Sequence, residues 1–71
     1  MRDPKRLDDF YDRLKKVHQE KLPDWRFGQL ILNFLSAYMA SNRIDFFYCE
    51  DAQLIKELED YVDYVNSSFN E

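Results

Sequence analysis

Apolar residues recur at intervals of three and four along the first third of the chain, the spacing of one α-helix face. This stripe consists of Leu7, Phe10, Tyr11, Leu14, Val17 and Leu22. Asp3 followed by Pro4 is typical of a helix start, with the aspartate as N-cap and the proline at the first helical position. Pro23 disfavours a helical conformation for the residue before it. The pattern therefore predicts a first helix over residues 4–22.

The second segment is apolar around more than half of its circumference. Asp24 is the expected N-cap, and a helix is predicted over residues 24–40. At about 100° per residue, its large apolar side chains span an arc of over 200°. These are Phe27, Leu30, Ile31, Leu32, Phe34, Leu35, Tyr38 and Met39. One neighbouring helix cannot cover so wide an arc, so we expect this helix to pack on two sides or across a subunit boundary. Gly28 is expected to allow close approach of another backbone.

Residues 44–49 are β-branched and aromatic without helical periodicity, and this pattern predicts an extended segment. A lone strand leaves its backbone groups without partners. We therefore expect the segment to lie across the helices with Phe46, Phe47 or Tyr48 as anchors. The alternative is that it pairs with the same segment of a second chain in a dimer.

A third helix is predicted over residues 51–65, where Glu50 and Asp51 place negative charge at the positive end of the helix dipole. Its buried stripe consists of Leu54, Ile55, Leu58, Tyr61, Val62 and Val65. The tail over 66–71 lacks a packing pattern. The prediction is an all-α fold: a compact three-helix domain over residues 1–71, with a short extended segment between helices two and three.

Composition narrows the class of protein. A chain of 71 residues fits one domain, and its 17% aromatic content provides large side chains for a small core. The single cysteine, Cys49, excludes an intramolecular disulfide, which favours a reducing compartment. No apolar stretch resembles a secretory signal or approaches the about 20 residues that cross a bilayer. We therefore expect a cytoplasmic protein without a membrane partner.

Charge is unevenly distributed along the chain. Residues 1–26 carry eight basic and six acidic side chains, a balance of +2, whereas residues 27–71 carry two and eight, a balance of −6. The sum is the net charge of −4. Binding to a phosphate backbone requires a dense basic patch, so nucleic acid is not an expected partner.

Three short blocks of sequence occur in order along the chain. They read RDPKR at residues 2–6, PDWRFGQLI at 23–31, and FYCED at 47–51 followed by Leu54. These blocks resemble those of a group of small uncharacterised bacterial and phage proteins that have no established activity. The resemblance implies a bacterial or phage origin and supplies no site residue.

The candidate chemical groups are few. Cys49 and His18 are the one thiol and the one imidazole, and no spacing joins them as nucleophile and base. One histidine and one cysteine do not complete a zinc site, and Glu50 with Asp51 lacks the alternating ligands of a calcium loop. Gly28 is the single glycine, so no phosphate-binding loop is present. We expect no catalytic, cofactor-binding or metal-binding residue, and no enzyme.

The favoured hypothesis is a non-enzymatic protein-interaction module that can self-associate. Its proposed contacts are Leu32 and Met39 of the second helix with Phe46, Phe47 and Tyr48 of the following segment.

Two alternatives use other surfaces. Glu59, Asp60 and Asp63 of the third helix could imitate a phosphate backbone, as in a phage-type inhibitor of a host nucleic-acid or defence enzyme. Helices two and three could also form a helix-turn-helix that binds nucleic acid. Their connection is longer than the usual three or four residues of that motif, and the third helix is acidic.

Overall fold

The structure is a computed structural model that describes residues 2–42 and 46–69. It contains three α-helices, which we number α1 (Arg6–Lys21), α2 (Phe27–Asn42) and α3 (Asp51–Phe69). One turn of 3₁₀ helix, Phe46–Tyr48, lies between α2 and α3. Within the two described ranges there is no β-strand. The predicted class, an all-α domain of three helices, is therefore confirmed.

The prediction of an extended segment is wrong for the part of it that the structure describes. Phe46–Tyr48 forms a 3₁₀ turn, and the Cys49 N–H donates to the Phe46 carbonyl at 3.1 Å. Aromatic residues favour a strand mainly when a neighbouring strand packs against them, and the described chain offers none. Residues 44 and 45 of the predicted segment lie outside the described residues.

The third helix continues beyond its predicted end. It reaches Phe69, so residues 66–69 of the predicted tail are helical. An established helix gains one backbone hydrogen bond for each residue added, even without a buried stripe. Residues 70 and 71 of the predicted tail lie outside the described part of the chain.

The start of α1 differs from the prediction, because the N-cap is Lys5, which makes no side-chain capping hydrogen bond. The predicted cap, Asp3, lies in the preceding turn, where its carboxylate accepts a hydrogen bond from the Lys5 backbone N–H at 2.9 Å. The turn from Asp3 to Arg6 is closed by an N–H to carbonyl bond of 3.2 Å, and regular α-helix begins at Arg6 rather than at residue 4.

The start of α2 differs from the prediction, because Asp24 is not its cap. The Trp25 N–H donates to the Leu22 carbonyl at 3.1 Å, which places Pro23 and Asp24 inside a tight turn. The helix begins at Phe27, three residues later than predicted.

A glutamine side chain caps the N-terminus of α2. The Gln29 side-chain oxygen accepts from the Arg26 N–H at 2.8 Å, half of a capping box. Gln29 is the third residue of the helix, where such a side chain reaches back to the N-cap backbone. The predicted role of Gly28 is also wrong, because a Cβ built there meets nothing within 4 Å.

α1 and α3 run parallel to each other. Three ion pairs join them or the residues just before them, linking Arg2 to Glu50, Arg6 to Asp51 and Arg13 to Glu59. The sequence separation of these pairs stays between 45 and 48. A nearly constant separation means that both helices advance in the same direction. α2 runs antiparallel to α3, because Tyr38 contacts Cys49 just before α3, whereas Phe34, earlier in α2, contacts Tyr61 further along α3.

The core is shared by all three helices but unequally. α1 and α3 make the most extensive helix contact, and α2 contributes Leu30 and Phe34 to the buried set. The other buried residues are Val17, Leu22, Ile55, Leu58, Val62 and Val65. No helix of the described residues is long and apolar enough to cross a membrane. α2 is thus the helix whose apolar surface is least used inside the domain.

Candidate protein-binding surfaces

One side of α2 is apolar and open to solvent. We define the α2 outer face as Gly28, Leu32, Leu35 and Met39. Leu32 is 67% exposed and Met39 is 43% exposed, whereas Leu35 is half-buried against the core. The intervals along this face are four, three and four residues, which is the spacing of a helix-pairing heptad. Among the described residues, therefore, no second neighbour covers Leu32 and Met39 of α2.

The 3₁₀ turn adds two large exposed rings next to the end of α2. Phe47 and Tyr48 are 77% and 78% exposed, and their ring centroids lie 5.0 Å apart in an edge-to-face arrangement. Phe46 is half-buried. The turn contacts α2, so it lies beside the C-terminal half of that helix.

A tyrosine fixes the end of this turn to α2. The Tyr38 hydroxyl lies 3.6 Å from the Cys49 sulfur, to which it donates. The pKa of Tyr38 is raised above its ordinary value, mainly by the hydrogen bond with Cys49 and to a smaller extent by burial. Cys49 therefore has a structural contact of its own, with a second one from its thiol to the Glu50 carbonyl at 3.6 Å.

The structure places Cys49 and His18 at opposite ends of the domain. Cys49 lies just before the start of α3, whereas His18 lies in the last turn of α1, which is parallel to α3. His18 Nε2 lies 2.6 Å from the Trp25 carbonyl, so the ring ties the end of α1 to the following turn. The two residues form no nucleophile and base pair.

The acidic face of α3 is partly committed to an internal contact. Glu59 accepts two hydrogen bonds from Arg13, at 2.9 and 2.5 Å. The hydrogen bonds from Arg13 hold the pKa of Glu59 below its usual range. Asp60 and Asp63 are exposed, and no ion pair among the described residues involves them. Two of the three predicted acidic contacts thus face solvent.

Sequence reasoning missed two features of these surfaces. The contact of Arg13 with Glu59 was not predicted, because it joins two helices that are far apart in sequence. The heptad spacing that begins at Gly28 is present in the sequence. It was missed because all the large apolar residues of this helix were treated as one wide arc. No protein-family model, no curated protein and no solved structure matches the chain.

Proposed function

We propose that this chain is a non-enzymatic protein-interaction module that pairs with a second copy of itself through the α2 outer face. The observation that carries the proposal is the heptad spacing of Gly28, Leu32, Leu35 and Met39, in which Leu32 and Met39 are exposed and Leu35 is half-buried. Two helices that present such faces can pack side chains of one into spaces of the other. Exposed apolar patches of this kind mark interaction sites in small proteins.

The accessible surface supports an additional partner. The chain exposes 5685 Å², whereas a folded monomer of 8.7 kDa typically exposes about 4,700 Å². The excess is on the order of 1,000 Å², similar to the about 800 Å² that each partner buries in a stable interface. The large exposed side chains at this face, Leu32, Met39, Phe47 and Tyr48, are part of the exposed surface that such pairing would cover.

Charge favours a second copy at this face. Each chain carries a net charge of −4, so two copies repel one another at most approaches. α2 contains no Asp, Glu, Lys or Arg over its whole length, Phe27–Asn42. Contact through α2 therefore places no charged side chain of this helix against another, which keeps the repulsion between two copies low.

Sedimentation velocity over a range of micromolar concentrations tests the proposal. We expect the wild-type chain to dimerise, and Leu32→Asp to be a monomer that keeps its helical circular dichroism. Asn33→Asp is the matched control, because Asn33 is exposed on the same helix but outside the α2 outer face. A wild-type chain that stays monomeric throughout, or a Leu32→Asp chain that still dimerises, would overturn the proposal.

A second candidate function is inhibition of a host nucleic-acid or defence enzyme by the acidic face of α3. The exposure of Asp60 and Asp63 favours it, while the pairing of Glu59 with Arg13 reduces the charge available. This role predicts salt-sensitive inhibition that is lost when Asp60 and Asp63 are both changed to Lys. Unchanged inhibition by that double variant would exclude it. The resemblance to bacterial and phage proteins is compatible with either role and stays a prediction.

A further inference from the structure

A groove between α2 and α3 combines aromatic rings with carboxylates. Its volume is about 220 Å³, and it opens to solvent along one side. The lining residues are Phe34, Ala37, Tyr38, Ser41, Glu57, Asp60, Tyr61 and Tyr64. We call this the α2–α3 groove. It is separate from the α2 outer face and shares only Asp60 with the acidic face of α3.

The rings form a continuous aromatic wall. The centroid of Phe34 lies 5.9 Å from that of Tyr38 and 5.8 Å from that of Tyr61. Phe34 is almost fully buried and forms the floor, whereas Tyr64 is 70% exposed at the rim. Aromatic faces carry negative potential and attract cations that lie within about 6 Å of the ring centre.

Two carboxylates stand beside this wall, and one of them, Asp60, also lines a neighbouring pocket that contains Arg13, Lys16 and Lys21. Glu57 and Asp60 are three residues apart on α3, so they share one side of the helix. No lysine, arginine or histidine is among the residues that line the groove. Glu57 accepts one hydrogen bond from Gln53 at 2.8 Å, and its carboxylate has further acceptor sites. The groove therefore presents two carboxylates, and none of the described residues in its lining is basic.

We propose that the α2–α3 groove binds an arginine side chain of a partner polypeptide. A guanidinium group is planar, stacks on aromatic faces and donates two parallel hydrogen bonds to a carboxylate. The partly exposed rings of Tyr38 and Tyr61, above the buried Phe34, offer aromatic surface, and Glu57 and Asp60 offer the acceptors. The open side lets a long side chain enter while its backbone stays outside.

The groove and the α2 outer face can be tested separately. Phe34 lies two positions after Leu32, and Ser41 lies two positions after Met39. A step of two residues corresponds to a rotation of about 200° around the helix. The two surfaces thus occupy opposite sides of α2. A Leu32→Asp chain should lose self-association and keep arginine binding, so failure of one proposal is distinguishable from failure of the other.

The experiment is a titration of the full chain, followed by amide NMR shifts, with a short capped peptide that contains arginine. Two matched peptides replace arginine with lysine or with neutral citrulline. We expect shifts at Tyr61 and Tyr64 and the tightest binding for arginine, with citrulline weaker by about tenfold or more. Equal binding of arginine and citrulline, or of arginine and lysine, would overturn the proposal.

Variants localise the effect. Asp60→Asn and Tyr64→Ala change exposed residues of the groove, and each should weaken arginine binding by about fivefold or more. Asp63→Asn removes the same charge from an exposed position on α3 that does not line the groove, and should leave binding within about twofold. Equal losses for Asp60→Asn and Asp63→Asn would show only general attraction to an acidic chain, and would contradict the assignment.

Discussion

Arg13 of α1 and Glu59 of α3 are joined by two parallel hydrogen bonds, from Nε to Oε2 at 2.9 Å and from Nη2 to Oε1 at 2.5 Å. Arg13 also contacts Asp9, one turn earlier on its own helix, at 3.4 Å. The two-point contact fixes the register of two helices that are 46 residues apart in sequence.

Glu59→Gln should therefore destabilise the fold in a pH-dependent way. About a third of each partner side chain is exposed, so solvent screening limits the expected loss at pH 7 to about 0.5–1 kcal/mol. Because the pKa of Glu59 is lowered in the folded state, this stabilisation is present above its unfolded pKa of about 4.3. It is lost as the pH falls through the lower folded pKa.

Urea unfolding followed by circular dichroism at pH 7 and at pH 3 measures this difference. Asp9→Asn is the control, since its carboxylate is 75% exposed and makes only the longer contact with Arg13. A wild-type advantage over Glu59→Gln that is unchanged between the two pH values would contradict the role of this carboxylate.

Leu30 and Leu32 form a matched pair on α2 with opposite environments. Leu30 is fully buried and Leu32 is 67% exposed. Leu30→Ala should cost about 2–4 kcal/mol of unfolding free energy because it leaves a cavity. Leu32→Ala should cost only a few tenths in a monomer. Chemical denaturation at low protein concentration checks both values, and equal losses would mean that the outer face is covered within the chain.

Gly28→Ala should stabilise the monomer by about 0.5–1 kcal/mol. The residue lies inside α2, where glycine costs more conformational entropy than alanine. A methyl group there meets nothing within 4 Å. Thermal unfolding at dilutions that keep the chain monomeric measures the gain. A loss of stability instead would reveal a backbone close to Gly28.

His18→Ala should destabilise the turn between α1 and α2 by about 1–2 kcal/mol, because the Trp25 carbonyl loses its donor. A carbonyl only accepts, so Nε2 must carry the hydrogen, and ¹⁵N NMR of the ring should show that tautomer. Gln19→Ala, at the next and exposed position, is the control. A ring protonated only at Nδ1 would contradict the hydrogen bond.

The helices were predictable where periodicity and local chemistry agree. Most of the stripe that contains Val17 and the stripe that contains Val62 lie in the core or pack against it, although Tyr11 of the first stripe is 58% exposed. Asp24 misled because aspartate is favoured in turns as well as at caps, and the preceding Pro23 selects the turn. Phe46–Tyr48 misled because aromatic residues indicate burial or a strand without saying where partner backbone lies.

The surfaces were less predictable than the helices. The exposure of Leu32 and Met39 depends on how far α2 packs against its neighbours, which is a tertiary property. The groove beside Tyr61 needs residues of two antiparallel helices to meet, and no spacing within one segment encodes that meeting. The contact between Arg13 and Glu59 was unpredictable for the same reason, because it joins residues of two helices that are 46 positions apart in sequence.

The parallel pairing of α1 with α3 makes the first and last helices depend on each other. A chain divided between α2 and α3 would carry the two sides of the main helix contact on separate fragments. The first fragment would then expose the stripe of α1 that packs on α3. The second fragment would contain no other helix to cover the stripe of α3. The two pieces would be obligate partners, able to regain their structure only by reassembling.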